Sequence, residues 1–413
     1  MSETDILYLL LGILTLDFVL ESGLGYLNFK SSKSPIPKKL DDIYEEEAYN
    51  KSQDYHRATW KLSSISSIFF FVITFCALAL GWFGLLDGYV RALGPMDLIS
   101  SLLFFGLLFV ISDLLSMPFG LYGTFVIEEK FGFNKMTAKT YVMDKVKGYL
   151  LTIIIGGLLL AGFLALVAFM GKGFWLYFWG VITVFILFMN MFYTSWLLPL
   201  FNKLTPLEEG ELKSSITTFS KKVGFPLKNI FVMDGSKRSS KGNAFFSGLG
   251  KQKKVVLFDT LIDKHSIEEL TAVFAHEVGH FKKRHIILGT GLSILQVGLM
   301  LFLLSRMIFA GEVSFALGGE VSTIHLNALA FFILYSPLSR IISVFMNILS
   351  RKNEYEADAY AAENYSSQPL IAGLKKMSAD HLSNLTPHPA YVFIHYSHPP
   401  LLQRIQAMES LKN

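Results

Sequence analysis

Long apolar runs separated by shorter polar stretches make up most of this chain. Seven runs can cross a bilayer, roughly residues 4–27, 64–87, 97–125, 148–171, 174–200, 286–310 and 323–349, each with the ~20 apolar positions a hydrocarbon core requires. One such run reads equally well as a buried core helix; seven in one chain do not. The pattern changes between about 201 and 285, where polar positions return. There Leu212 to Val223 has helical spacing, and Asn229-Ile230-Phe231-Val232-Met233 is strand-like. Asn243-Ala244-Phe245-Phe246 and Val255-Val256-Leu257-Phe258 predict two more strands, with Gly248-Leu249-Gly250-Lys251 as the turn between them. Ser266-Ile267-Glu268-Glu269 is a capping box that opens a helix with Leu270, Val273 and Phe274 on its apolar face. That helix is expected to continue through Lys282, Lys283, Arg284 and His285 into the sixth apolar run.

Composition narrows the class. The 413 residues are 52% hydrophobic and 17% charged, which excludes an ordinary soluble domain, and the 37 phenylalanines suit lipid-facing helices. The expected fold is a mainly α polytopic membrane protein with about seven transmembrane helices and an α/β segment outside them. Its expected parts are 1–200 (five membrane helices), 201–285 (an α/β segment), 286–349 (helices six and seven) and 350–413, where polar positions return after the seventh run. Basic residues gather after the first run (Lys30, Lys33, Lys38, Lys39, Lys51, Arg57) and after the third (Lys130, Lys135, Lys139, Lys145, Lys147). The intervening loops hold little beyond Arg91, Lys172, Glu312 and Glu320. By the positive-inside rule the C-terminus and residues 201–285 face the cytosol, so the sequons at Asn364 and Asn384 would go unused. Acidic Glu3 and Asp5 and the length of the first run argue against a cleaved signal peptide. With Cys76 as the only cysteine, no intramolecular disulfide forms. The net charge of +4 fits loops beside anionic lipid, and no basic-aromatic pattern suggests nucleic acid.

The candidate chemistry is His276-Glu277-Val278-Gly279-His280. Residues four apart share a helix face, so His276 and His280 can reach one metal ion while Glu277 addresses a water beside it. A catalytic zinc takes a third protein ligand and keeps one position open. Asn353-Glu354-Tyr355-Glu356-Ala357-Asp358 supplies it: Glu354 as ligand and, one turn on, Asp358 as acceptor for the far nitrogen of a ligating histidine. On spacing alone Glu356 is an alternative to Glu354. The alanines at 357, 359, 361 and 362 make that helix slim enough to pack closely. His285 lies one turn too far along to be assumed a ligand and is expected to face an interface.

H-E-x-x-H followed by N-E-Y-E-A-D resembles the gluzincin peptidases, and more narrowly the integral-membrane CAAX prenyl proteases. Four further segments carry the narrow resemblance: Glu129 to Lys135, Gly242 to Phe246, Val255 to Leu261, and Ser397-His398-Pro399-Pro400 with Arg404 after it. Together they span nearly the whole chain. The resemblance implies helices enclosing an intramembrane chamber capped by a gluzincin-like α/β zinc peptidase domain, with residues 350–413 as its C-terminal part and one zinc ion per chain. It also implies substrates ending in a prenylated cysteine and three residues. Zinc would activate the attacking water and polarise the scissile carbonyl, with Glu277 as general base. The resemblance, not spacing, favours His398 over His381, His388 and His395 as donor to the oxyanion; Arg404 would orient it or pair with an acidic group. Asn243, Ala244 and Phe245 are the expected substrate strand, though Asn243 reads equally as a turn residue. Three other readings remain at this stage. One is a bacterial quality-control peptidase with no prenyl requirement, and the membrane is accordingly a bacterial inner membrane or the ER. The others are a zinc transporter, for which Asp17 and Asp113 are the few charges within the runs, and a silent scaffold.

Overall fold

The computed structural model describes residues 1–93, 96–247 and 253–411. α1 (Glu3–Ser31) opens on a capping box in which the Ser2 hydroxyl accepts from the Asp5 amide. α2 (Glu46–Ala79) and α3 (Trp82–Leu93) are separated at Gly81, whose φ of 68° favours a residue without Cβ, so the second predicted run is two helices. α4 (Asp97–Tyr122) continues through a wider turn at Gly123–Glu128. α5 (Ala138–Leu151), α6 (Gly157–Met170), α7 (Phe174–Phe192) and α8 (Leu198–Phe201) form one helical run from Ala138 to Phe201. It folds back at Gly171 (φ 51°), where Phe163 meets the rings of Phe174 and Phe178 across the bend.

The soluble part begins with β1 (Leu204–Pro206), which the pattern did not predict, and α9 (Glu211–Lys222). β2 (Leu227–Met233), β3 (Ala244–Ser247) and β4 (Lys253–Phe258) complete a sheet in the order β1-β2-β4-β3. β2 runs parallel to β4, while β3 is antiparallel to β4 and forms one edge, with Phe245 opposite Val256. The turn expected at 248–251 lies outside the described residues. α10 (Asp259–Ile262) leads to α11 (Ile267–Lys282) and α12 (His285–Met307). The expected continuous helix through residues 282–285 is therefore broken, at Arg284 in the left-handed conformation (φ 61°). The turn lets α11 keep its apolar face in the domain core while α12 packs on α7, where the Trp179 indole donates to the Ile294 carbonyl at 2.8 Å.

α13 (Gly311–Ala316) precedes α14 (Ile324–Asn364). At 1.5 Å per residue its 41 residues reach about 60 Å, twice a ~30 Å hydrocarbon core, so its polar third projects beyond the membrane. α15 (Ser367–Asp380), α16 (Pro389–His395) and α17 (Leu401–Ser410) end the described chain. Phe219, Phe225, Val255, Leu257, Phe274, Leu370 and Ile405 form the soluble core, which also takes in Leu40, Ile127 and Phe131 from the membrane-proximal loops.

Among the described residues six helical runs are long and apolar enough to cross a membrane, and the folded run supplies two of the seven predicted segments. Leu16, Ile65, Leu158, Val184 and Phe345 are exposed on them, a surface that only lipid accommodates. The protein is a multi-pass integral membrane protein.

Candidate metal centre

α11 is fixed at its start by the predicted capping box: the Ser266 hydroxyl accepts from the Glu269 amide at 3.2 Å, and the Glu269 carboxylate accepts from the Ser266 amide at 3.0 Å. Leu270, Val273, Phe274 and Val278 bury one face in the domain core, which leaves His276 and His280 together on another. α14 crosses α11 at Gly279. A Cβ there would lie 2.9 Å from the Ala357 Cα, so only a glycine facing an alanine allows this approach. The close crossing brings Glu354 to the histidines.

The three donors converge. His276 Nε2 lies 3.2 Å from His280 Nε2, and the Glu354 carboxylate oxygens lie 3.2 Å from His280 Nε2 and 3.5 Å from His276 Nε2. Donors held about 2.0–2.1 Å from a tetrahedral zinc stand about 3.3–3.4 Å apart. Glu354 Oε2 is buried without a hydrogen-bond partner, and the paired imidazole nitrogens need a proton or a cation between them. The residues fit a metal.

Around them, Asp358 Oδ1 lies 2.8 Å from His276 Nδ1, and buried Arg404 donates to both Asp358 oxygens at 2.8 and 2.6 Å. Arg404 Nη1 is also 3.7 Å from Glu354 Oε2, so Arg404 pairs with acidic groups rather than orienting His398. Burial works against a charged His276, but the carboxylates of Asp358 and Glu354 beside it outweigh this and push it up to about 9. Burial pushes the Glu277 carboxyl above the usual carboxylate range. His398 is exposed, with Nε2 3.4 Å from Glu354 Oε1 and its Nδ1 3.0 Å from the Ser397 hydroxyl.

Both halves of the chain match family models: residues 25–203 that of the CAAX prenyl protease N-terminal region with five membrane helices, and residues 206–412 that of peptidase family M48. The chain belongs to the M48 CAAX prenyl proteases. It is 35% identical to CAAX prenyl protease 1 of Saccharomyces cerevisiae, covering 95% of this chain and 92% of that protein. It is 32% identical to the human CAAX prenyl protease 1 homolog, covering 91% and 89%. The crystal structure of S. mikatae Ste24p superposes with a TM-score of 0.92 at 34% identity, over 98% of this chain and 99% of that one. This family member is therefore a metalloprotease set in a membrane.

Of the predicted site residues, His276, Glu277, His280, Glu354, Asp358, His398 and Arg404 gather at the centre. Asn243 stands just before β3: its side chain accepts from the Ala244 amide at 2.8 Å and its carbonyl accepts from the Phe258 amide at 3.0 Å. Ala244 and Phe245 lie on the edge strand. His285, at the start of α12, is buried beside His280, a contact that the sequence reading did not foresee. Helical spacing hid it, because the break at Arg284 resets the direction of the chain and no glycine marks that break.

Proposed function

We propose that this protein is a zinc endopeptidase that cuts CAAX-type prenylated proteins near their C-terminus, on the cytosolic side of its membrane. The observation that carries the reading is the convergence of His276, His280 and Glu354 at tetrahedral spacing. When bound, zinc supplies Lewis-acid chemistry toward water and a carbonyl. Glu277 removes the proton of the attacking water and delivers it to the leaving amine. Asp358 accepts from His276 Nδ1 and so holds Nε2 toward the metal, while Arg404 neutralises Asp358 in its buried setting. His398 is the donor for the developing oxyanion. The edge of β3 takes an extended peptide by strand addition, with Asn243 at its entrance. The names of the relatives favour prenylated substrates over a quality-control role. The loop charges favour a cytosolic site.

Metal analysis of detergent-purified protein tests the centre. The wild type and Glu277→Gln are expected to hold about one zinc per chain, and Glu354→Ala to lose it. Zinc retained by Glu354→Ala, or lost from Glu277→Gln, would contradict the assigned roles.

A further inference from the structure

The two histidines of the centre are held from behind by different groups. Asp358 meets His276 directly. His280 Nδ1 instead lies 3.1 Å from Nδ1 of His285, whose Nε2 lies 3.1 Å from Glu356 Oε2. One pattern of hydrogens satisfies the whole chain. His280 Nε2 faces His276 and Glu354, so its hydrogen sits on Nδ1; His285 Nδ1 must then accept, and His285 Nε2 donates to Glu356. His285 is buried, whereas Glu356 is partly exposed with Lys352 3.9 Å away, so the chain of contacts runs from the buried ring to the protein surface.

The backbone supplies a second, independent observation. On an unbroken helix the residue five positions past His280 would point about 140° away from it. Arg284 instead adopts a left-handed conformation that side-chain-bearing residues avoid, and the resulting turn folds His285 back onto His280.

We propose that His285 and Glu356 are positioning residues for His280: they fix its tautomer and ring plane so that Nε2 is presented to the metal. The inference rests on the zinc reading above. It assigns Glu356 to a place behind the site, two positions from the ligand Glu354 and on the same helix.

Chelator competition for zinc in detergent tests it, with thermal unfolding of each metal-free protein and the visible spectrum of each cobalt-loaded one. His285→Phe is expected to bind zinc about 10–100-fold more weakly and to shift the cobalt bands, while the metal-free protein unfolds near the wild-type temperature. Glu356→Gln, whose amide oxygen still accepts, should bind within about threefold of wild type, and Glu356→Leu should bind more weakly than Glu356→Gln. Arg284→Gly should keep wild-type affinity because glycine adopts the turn freely, whereas Arg284→Val should behave like His285→Phe. Wild-type affinity and spectrum in His285→Phe would overturn the proposal. Should that variant fold poorly, equal affinity in the two Glu356 variants would overturn it instead. If the wild type itself takes up no zinc, the reading of the centre fails, and that result is distinct from the others.

Discussion

At His276, burial and the neighbouring carboxylates act in opposite directions. Its imidazole is pushed up to about 9 in the metal-free protein, above the value near 6.5 expected of an unfolded chain. A raised folded value means that the protonated ring stabilises the fold fully below about pH 6.5, and that this stabilisation is lost as pH rises through about 9. The melting temperature of the metal-free protein should therefore fall between those limits. The metal-loaded protein, in which Nε2 is unprotonated throughout, should lose little over the same range. Scanning calorimetry at several pH values checks this; a metal-free melting temperature that is flat or rises across the window would contradict it. Much of the centre was legible residue by residue. The four-residue spacing of His276 and His280, and of Glu354 and Asp358, is a direct consequence of helix geometry. The choice between Glu354 and Glu356 was not, because both are two-carbon carboxylates on one helix and only the crossing with α11 separates their roles. The partner of Arg404 was equally hidden, since its ion pair with Asp358 joins residues far apart in sequence.

At the scale of elements, the centre depends on how closely α11 and α14 cross. A Cβ on Gly279 would meet the Ala357 Cα at 2.9 Å, its carbonyl oxygen at 3.0 Å and the Tyr360 Cβ at 3.1 Å, so the helices would have to separate. Gly279→Ala is expected to destabilise the protein by about 1–3 kcal/mol. It should also weaken metal binding, because Glu354 sits on the displaced helix. Unchanged thermal stability together with unchanged chelator-competition affinity would show that the crossing has slack. The alanines around 357 announced this slim face in the sequence, and the Ser266 capping box announced where α11 starts. The end of α14 was less legible. Hydropathy marks where a helix leaves the bilayer, not where it stops, so the apolar run to about 349 gave no hint that the same helix carries Glu354 and Asp358. The break at Arg284 had no glycine or proline to signal it, and the three residues of β1 are too few to show a period.

At the scale of the whole molecule, one helix joins membrane to chemistry: α14 begins among the spans and ends at the metal donors. Asp17 and Asp113, the charges singled out within the apolar runs, each have a partner. Asp17 and Glu21 on α1 both pair with Arg340 on α14, and Asp113 on α4 pairs with Lys145 at 2.5 Å and with Tyr149. These half-buried pairs join one helix to another and do not form the free carboxylate ladder a transporter needs. The chain thus reads as a membrane scaffold that presents one hydrolytic centre beside lipid. We propose that this centre cuts prenylated CAAX sequences. The most direct measurement is mass spectrometry of the products after purified protein is incubated with matched CAAX peptides, farnesylated and plain, with Glu277→Gln as the control. Cleavage after the farnesylated cysteine alone, abolished by Glu277→Gln, is the predicted result. Equal cutting of both peptides, or cutting that survives in Glu277→Gln, would contradict it.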